Sequence, residues 1–192
     1  FLAEGLRILA EAEEAGRLPR LMFGTREGLA HPIASRISQA SEMGGGEVVE
    51  TSRDILGKLS GKDNPQTVIG VYDEPDCTLA AIDRDAAAIW LVAQALRDPG
   101  NLGTMLRTSD AVGAGGLILI DDCVDPFSVE AVRASMGAVF TQRIAQARWE
   151  EFLPWLRGGA GQLIGTSLKT NIDYRAPRYA PPTFLLIGNE SQ

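Results

Sequence analysis

The feature that most constrains the fold is an apolar run that leads at once into a turn and a helix. Residues 87–96 are apolar except for Gln94, which is typical of a strand buried in a parallel sheet. Pro99 and Gly100 favour a turn directly afterwards, and Asn101 stands where a helix is expected to begin. Apolar residues then recur at helical spacing: Leu102, Met105, Leu106 and Val112. A buried strand that leads into an amphipathic helix is the repeating unit of an open α/β sheet.

The same alternation continues along the chain. The pattern predicts strands at 88–96, 117–120, 143–147, 162–166 and 183–187, and helices at 102–112, 128–139 and 150–157. Strands that alternate with helices of this length form a parallel sheet covered on both faces. We therefore predict a parallel-sheet α/β domain over residues 76–192.

Residues 1–75 show a second, shorter alternation. It predicts helices at 1–16, at 31–43 and after Ser52, and strands at 18–23, 47–51 and 66–72. A segment of this size makes a small α/β domain. Residues 73–85, with Pro75 and six charged side chains, are typical of a linker and entry strand. We predict two domains, 1–75 and 76–192.

Two polar residues of the helix that follows residue 96 are candidates for a ligand site. Asn101 and Arg107 fall in its first two turns, beyond the carboxyl end of a strand, where open α/β sheets bind ligands. An amide and a guanidinium there suit a polar substrate that carries phosphate. Structural roles also exist for both: Asn101 as the helix N-cap, and Arg107 in a surface ion pair with Asp110.

Other site types are disfavoured. The glycine-rich residues 113–116 lie between a helix and the next strand, which is the wrong side to cradle a pyrophosphate. No other segment has the strand, glycine-rich loop and helix of a phosphate loop, which disfavours a nucleotide-binding protein of flavodoxin-like topology. No His–Ser–Asp set and no metal-ligand cluster stand out in the sequence. Cys77 and Cys123 lack metal spacing, and a reducing cytoplasm is the expected location. No apolar run is long enough to span a bilayer.

Four segments resemble, in order and spacing, the SpoU (TrmH-like) family of RNA ribose 2′-O-methyltransferases. Residues 101–113 resemble its first signature, 132–140 its central helix, and 165–168 the strand end that approaches the methyl donor. Residues 184–192, which end in Gly-Asn-Glu-Ser-Gln, resemble the second signature. The opening Phe-Leu-Ala-Glu-Gly-Leu-Arg resembles the RNA substrate-binding domain that precedes many catalytic domains of this family.

The resemblance implies transfer of a methyl group from S-adenosyl-L-methionine to a ribose 2′-hydroxyl, most often of ribosomal RNA. It implies catalytic roles for Arg107, Asn101 and Glu190. The residues implied to border the cofactor are Thr166, Ser167, Leu168, Ile187, Gly188 and Asn189. It also implies a homodimer and, through a third signature expected beyond Gln192, a trefoil knot. Ser191 departs from the family, which usually has glycine there.

The charge balance leaves alternatives open. The net charge of −7 requires cations to be concentrated locally if RNA is bound. The arginines predicted to form such a patch are Arg17, Arg20, Arg26, Arg36 and Arg53. A transfer RNA substrate and a non-catalytic RNA-binding protein that keeps the fold remain alternatives.

The small residues around Arg133 and Ser135 favour a packing or dimer role for these two.

Overall fold

The computed structural model describes residues 1–167 and 169–188. Its strands, in chain order, are β1 (Leu2–Glu4), β2 (Leu21–Gly24), β3 (Glu47–Glu50), β4 (Val68–Val71), β5 (Ile89–Gln94), β6 (Gly116–Ile120), β7 (Arg143–Ala147), β8 (Gln162–Gly165) and β9 (Thr183–Ile187). Its helices are α1 (Leu6–Glu14), α2 (Arg26–Leu29), α3 (Pro32–Met43), α4 (Arg53–Ser60), α5 (Pro99–Ala111), α6 (Val129–Ser135), α7 (Ala138–Thr141) and α8 (Trp149–Arg157).

The chain forms two compact units. The first comprises Phe1–Pro75 together with Asp125–Thr141, and the second comprises Asp76–Val124 together with the residues from Gln142 onwards. Segment Asp125–Thr141, which the sequence pattern assigns to the domain of residues 76–192, thus belongs to the first unit.

The first unit is built on a four-stranded mixed sheet. Its strand order is β1-β4-β2-β3, in which β2 and β3 run parallel and the other neighbours antiparallel. The predicted helix over 1–16 is wrong at its start, because residues 2–4 pair with β4 as a strand. Gly5, at φ 102°, makes the turn into α1, a conformation that glycine adopts at little cost.

Aromatic packing explains why segment Asp125–Thr141 belongs to the first unit. The Phe1 ring lies 4.9 Å from the Phe127 ring, and the Tyr72 ring lies 4.8 Å from the Phe140 ring. Such pairs add to the stabilisation that comes from burying apolar area. The interaction joins the two ends of the Phe1–Pro75 segment to residues far along the chain, a pairing that no local pattern indicates.

The helix predicted over 128–139 is interrupted. Helix α6 ends at Ser135, Met136 has φ 52° and Gly137 has φ 101°, and α7 begins directly afterwards. A Cβ on Gly137 would lie 2.6 Å from Cβ of Glu11, so only glycine fits. The buried Ser135 hydroxyl donates to the Val132 carbonyl and accepts from the Val139 amide. Ser135 therefore has the packing role that was predicted for it.

The second unit contains the parallel sheet that the sequence predicts. The strand order is β7-β6-β5-β9-β8, and every neighbouring pair is parallel. Its core is made by buried side chains of the sheet and of α8, among them Trp90, Val92, Ile118, Ile120, Phe152 and Phe184. Where the structure describes the chain, no helix has the length and apolar character needed to cross a membrane.

Candidate functional site at the switch point of the parallel sheet

The strand order creates a switch point between β5 and β9. From β5 the chain continues to β6 and β7 on one side, whereas β9 and β8 lie on the other side. Ala93 is paired with Ile187, and Gly165 with Leu186, so the carboxyl ends of β5, β9 and β8 meet at one edge. Ligands of open α/β sheets bind outside the carboxyl ends of strands at such a point.

Helix α5 starts beside this edge and is capped by a residue that the sequence analysis missed. The Asp98 carboxylate accepts from the Asn101 amide at 2.6 Å, and Pro99 occupies the first turn. The interpretation of Asn101 as the N-cap is therefore wrong. Because Asp98 supplies the cap, the exposed Asn101 side chain is available for another role. The Asp–Pro pair before a helical pattern was the signal that could have identified the cap.

Asn101 and Arg107 lie on one exposed ridge of α5. Thr104 stands between them at spacings of three residues, and residues three apart on a helix have Cβ atoms about 5–6 Å apart. All three are exposed, whereas Leu102 and Leu106 on the opposite face are fully buried. The structure thus brings the two predicted residues onto the same polar surface, beside the switch point.

The Arg107 guanidinium makes no ion pair with residues 1–167 or 169–188. The ion pair with Asp110, the structural alternative, is not among the ion pairs of these residues. The Asp110 carboxylate accepts from the Gln142 side-chain amide at 3.0 Å. The same Gln142 accepts from the Ser109 hydroxyl at 2.6 Å, which holds the second half of α5 in place. An exposed cation on a rigid helix is suited to bind an anion from solution.

The loop between β5 and α5 is held by the loop after β6. The Ala95 amide donates to the Ile120 carbonyl at 3.1 Å, and the Val124 amide donates to the Leu96 carbonyl at 2.7 Å. The Leu96 amide donates to Sγ of Cys123 at 3.3 Å, and burial raises the pKa of this thiol. Cys123 is therefore a structural partner of the loop that positions α5.

Asp121 completes this attachment. Its carboxylate accepts from the Gln94 side-chain amide at 2.8 Å and from the Trp149 amide at 2.9 Å. These hydrogen bonds, the one from Gln94 first, lower the pKa of Asp121 below its ordinary value. Ala95 and Asp121 both have positive φ, 53° and 60°, in a region that costs a non-glycine residue free energy. Sequence reasoning missed Asp121, because its partners, at the end of β5 and the start of α8, lie far from it in the sequence.

Four of the residues predicted to border a cofactor are described by the structure, and they lie at the same edge of the sheet. The Thr166 amide donates to the Leu186 carbonyl at 3.0 Å, directly after β8, and Ser167 follows it at the surface. Ile187 ends β9 and the exposed Gly188 follows it. No atom lies within 4 Å of the position that a Cβ would take on Gly188, so there is open space next to the backbone there. Leu168, Asn189 and Glu190 lie outside the described residues.

The arginines predicted to bind RNA lie in the first unit, and most are paired. Three form exposed ion pairs: Arg20 with Asp73 at 3.2 Å, Arg26 with Glu50 at 3.1 Å, and Arg36 with Glu13 at 2.5 Å. Arg17 donates to the Asp73 carbonyl and Arg53 to the Asn64 side chain. Exposed pairs of this kind contribute little free energy, so phosphates could replace their acidic partners.

The capping role of Asp98 gives a first testable prediction. Asp98→Ala leaves the Asn101 amide without its acceptor, and we expect a loss of about 1 kcal/mol in the free energy of unfolding, or about 3 °C in Tm. Asp98→Asn is the matched control, because asparagine caps a helix about as well as aspartate. Thermal unfolding followed by circular dichroism makes the comparison. Equal Tm values for the alanine variant and the wild type would contradict the assigned cap.

A fully parallel sheet with a polar, cationic helix face at its switch point defines an open α/β domain, the class of protein in which that edge of the sheet is the usual ligand site. Residues 88–192 match the SpoU rRNA Methylase family, and residues 1–70 match the MRM3-like substrate binding domain. The chain belongs to the SpoU rRNA methylase family.

Named relatives cover different shares of the chain. The chain is 29% identical over 139 residues to the 23S rRNA (guanosine(2553)-2′-O)-methyltransferase RlmP of Bacillus subtilis. The matched region covers 72% of this chain and 54% of that protein. The chain is also 28% identical over 155 residues to the human mitochondrial rRNA methyltransferase 3. This match covers 78% of this chain and 36% of that protein. The chain thus spans between about a third and about half of the length of these curated relatives.

A solved structure matches the whole chain. The AdoMet-bound rRNA methyltransferase from Sinorhizobium meliloti superposes with a TM-score of 0.85 at 36% sequence identity, and the match covers 100% of this chain and 71% of that one. The prediction of an α/β fold with a parallel sheet is confirmed by this likeness as well as by the strand order.

Proposed function

We propose that this protein transfers a methyl group from S-adenosyl-L-methionine to a ribose 2′-hydroxyl of ribosomal RNA. The observation that carries the proposal is the ridge of α5, where Arg107 is exposed, unpaired among residues 1–167 and 169–188, and next to the switch point. Membership of the SpoU family supports the reaction. Relatives named for ribosomal RNA favour that substrate over the alternative, transfer RNA.

The edge formed by β8 and β9 has features that fit the cofactor. Thr166, Ser167, Ile187 and Gly188 are exposed or half-buried, and the space next to Gly188 is open, as a flat adenosine group needs. We propose that they hold it together with Leu168 and Asn189. When bound, S-adenosyl-L-methionine supplies a methyl group on a positively charged sulfur. The AdoMet-bound relative supports this assignment.

Arg107 acts on the substrate rather than as a base. A guanidinium is not deprotonated in proteins, so it binds the phosphate beside the target ribose and lowers the pKa of the 2′-hydroxyl by its charge. The proton leaves to the phosphate or to another acceptor. Asn101, on the same ridge, orients the nucleotide, and Glu190 is proposed to assist it. Alignment of the reacting groups then provides most of the rate enhancement.

The rest of the assembly follows from the family resemblance. We propose that residues 1–75, which include Arg17, Arg20, Arg26, Arg36 and Arg53, contribute affinity for RNA. A homodimer, a knot completed beyond Gln192 and a cytoplasmic location remain predictions. The non-catalytic alternative is disfavoured by the presence of both Asn101 and Arg107 on the exposed ridge of α5.

Incubation of the full-length protein with labelled S-adenosyl-L-methionine and protein-free ribosomal RNA tests the function. We expect label in the RNA, at a nucleotide whose 3′ bond resists alkaline hydrolysis, because a methylated 2′-oxygen cannot attack the neighbouring phosphate. Transfer RNA is the control substrate. Methylation of transfer RNA alone would move the assignment to that substrate, and binding of RNA without any transfer would favour the non-catalytic alternative.

A further inference from the structure

The connection between β8 and β9 combines exposed aromatic rings with basic side chains. We name residues 169–182 the Tyr174 loop. It carries the basic residues Lys169, Arg175 and Arg178 and a single acidic residue, Asp173. This excess of positive charge stands out in a chain whose net charge is −7. The loop leaves the sheet at the carboxyl end of β8, the edge at which the candidate site lies.

The aromatic rings of the loop face solvent. Tyr174 is 75% exposed and Tyr179 is 48% exposed. Ile172 in the same loop is 68% exposed as well. Large apolar side chains gain free energy by burial, so a group of exposed ones in one segment indicates a surface that binds a partner. The ring of Tyr174 offers a flat face to a planar group.

The loop presents Tyr174 on a closed turn. The Ala176 amide donates to the Asp173 carbonyl at 2.9 Å, and the Tyr179 hydroxyl donates to the Tyr174 carbonyl. Arg175 forms a two-point ion pair with Asp173 at 2.7 and 3.0 Å, and its guanidinium lies 5.6 Å from the centre of the Tyr174 ring. These contacts hold the ring before any partner binds, which reduces the entropy cost of binding.

Lys169 and Arg178 supply positive charge on the same loop. Both are exposed, and neither forms an ion pair within 1–167 and 169–188. Exposed aromatic rings interleaved with free cations are the means by which proteins bind single-stranded nucleic acid: bases stack on the rings, and the cations neutralise phosphates. A purely apolar partner would leave these two charges without a counterpart.

We propose that the Tyr174 loop is an RNA-binding surface of the catalytic unit. Tyr174 stacks on an unpaired base, and Lys169 and Arg178 bind backbone phosphates of the same strand. This inference rests on the proposed function for its biological substrate, whereas the binding that it predicts can be measured without methyl transfer. It adds a contact for RNA that is separate from the arginines of residues 1–75.

Fluorescence anisotropy with the full-length protein and a labelled mixed-sequence oligoribonucleotide tests the proposal. We expect Tyr174→Ala to weaken binding of the single strand about tenfold, since one stacking contact is lost, and to change binding of a duplex of the same length much less. Tyr174→Phe keeps the ring and should bind like the wild type. Arg178→Ala should reduce the dependence of log affinity on log salt concentration by about one. Arg157→Ala, which removes an exposed charge from α8, is the matched control.

The outcomes separate this proposal from the proposed function. In the methylation assay, Tyr174→Ala should raise KM for RNA about tenfold while kcat and KM for S-adenosyl-L-methionine stay within about twofold. If the wild type transfers no methyl group but binding falls as expected, the loop proposal stands and the proposed function fails. Unchanged single-strand affinity of Tyr174→Ala overturns the loop proposal. A change in the sedimentation mass of that variant, with unchanged affinity, would assign the loop to contact between two copies of the chain.

Discussion

Replacing Arg107 with alanine is expected to abolish methyl transfer while the protein stays folded. The side chain is exposed on α5 and makes no ion pair with the described residues 1–167 and 169–188, so its removal costs little free energy of unfolding. Its proposed role is to bind the substrate phosphate and to stabilise the charge that develops on the 2′-oxygen. Loss of that interaction should lower kcat by at least two orders of magnitude, which corresponds to about 2.7 kcal/mol of transition-state stabilisation.

Arg107→Lys tests how the charge is used. Lysine keeps the positive charge but cannot form the planar two-point contact of a guanidinium with phosphate. Because the proposed phosphate contact needs this planar group, we expect Arg107→Lys to lose most of the activity as well. Arg157→Ala is the control for loss of a surface charge. Calorimetric titration with S-adenosyl-L-methionine should give the same affinity for the Arg107 variants as for the wild type. Near-normal turnover of Arg107→Ala would remove the residue from the catalytic assignment.

The parallel sheet could be predicted because its strands carry a signal within the sequence itself. Residues 90–93 and 116–120 are apolar and buried. A turn and a helical pattern follow the first run, and a glycine-rich turn precedes the second. The start of the chain carried no such signal. Residues 2–4 form a strand only because β4, more than 60 residues away, pairs with them, and three residues are too few to show a period of two.

The candidate site could be predicted only in part, for a related reason. Helical spacing placed Asn101 and Arg107 on the same helix beyond a strand, and the structure puts them on one ridge. The partners that hold this helix were not predictable, since Asp121 contacts the end of β5 and Cys123 contacts the β5–α5 loop, both from the segment that follows β6. Arginine positions alone also could not show that Arg26 and Arg36 face the carboxylates of Glu50 and Glu13.

Gly116→Ala is expected to have the largest effect on stability. Gly116 begins β6 at φ 150°, and a Cβ there would lie 2.0 Å from the carbonyl oxygen of Arg143, its partner residue in β7. That oxygen belongs to the backbone of a paired strand and cannot move without breaking the ladder between β6 and β7. The variant combines an unfavourable backbone conformation with a clash in a buried strand. We expect a loss of about 4 kcal/mol or more in the free energy of unfolding.

Gly113→Ala is the control that has an unfavourable backbone conformation without a steric clash. Gly113 also has positive φ, 67°, but no atom lies within 4 Å of the position of an added Cβ. Alanine there should cost only the 1–2 kcal/mol or so of a left-handed residue. Because β6 also provides the Ile120 carbonyl that accepts from Ala95, loss of β6 should release the loop that positions Arg107. Activity of Gly116→Ala should therefore fall together with its folded fraction as temperature rises, whereas Gly113→Ala stays active. Equal Tm values for the two variants would show that the close approach of β6 and β7 does not limit stability.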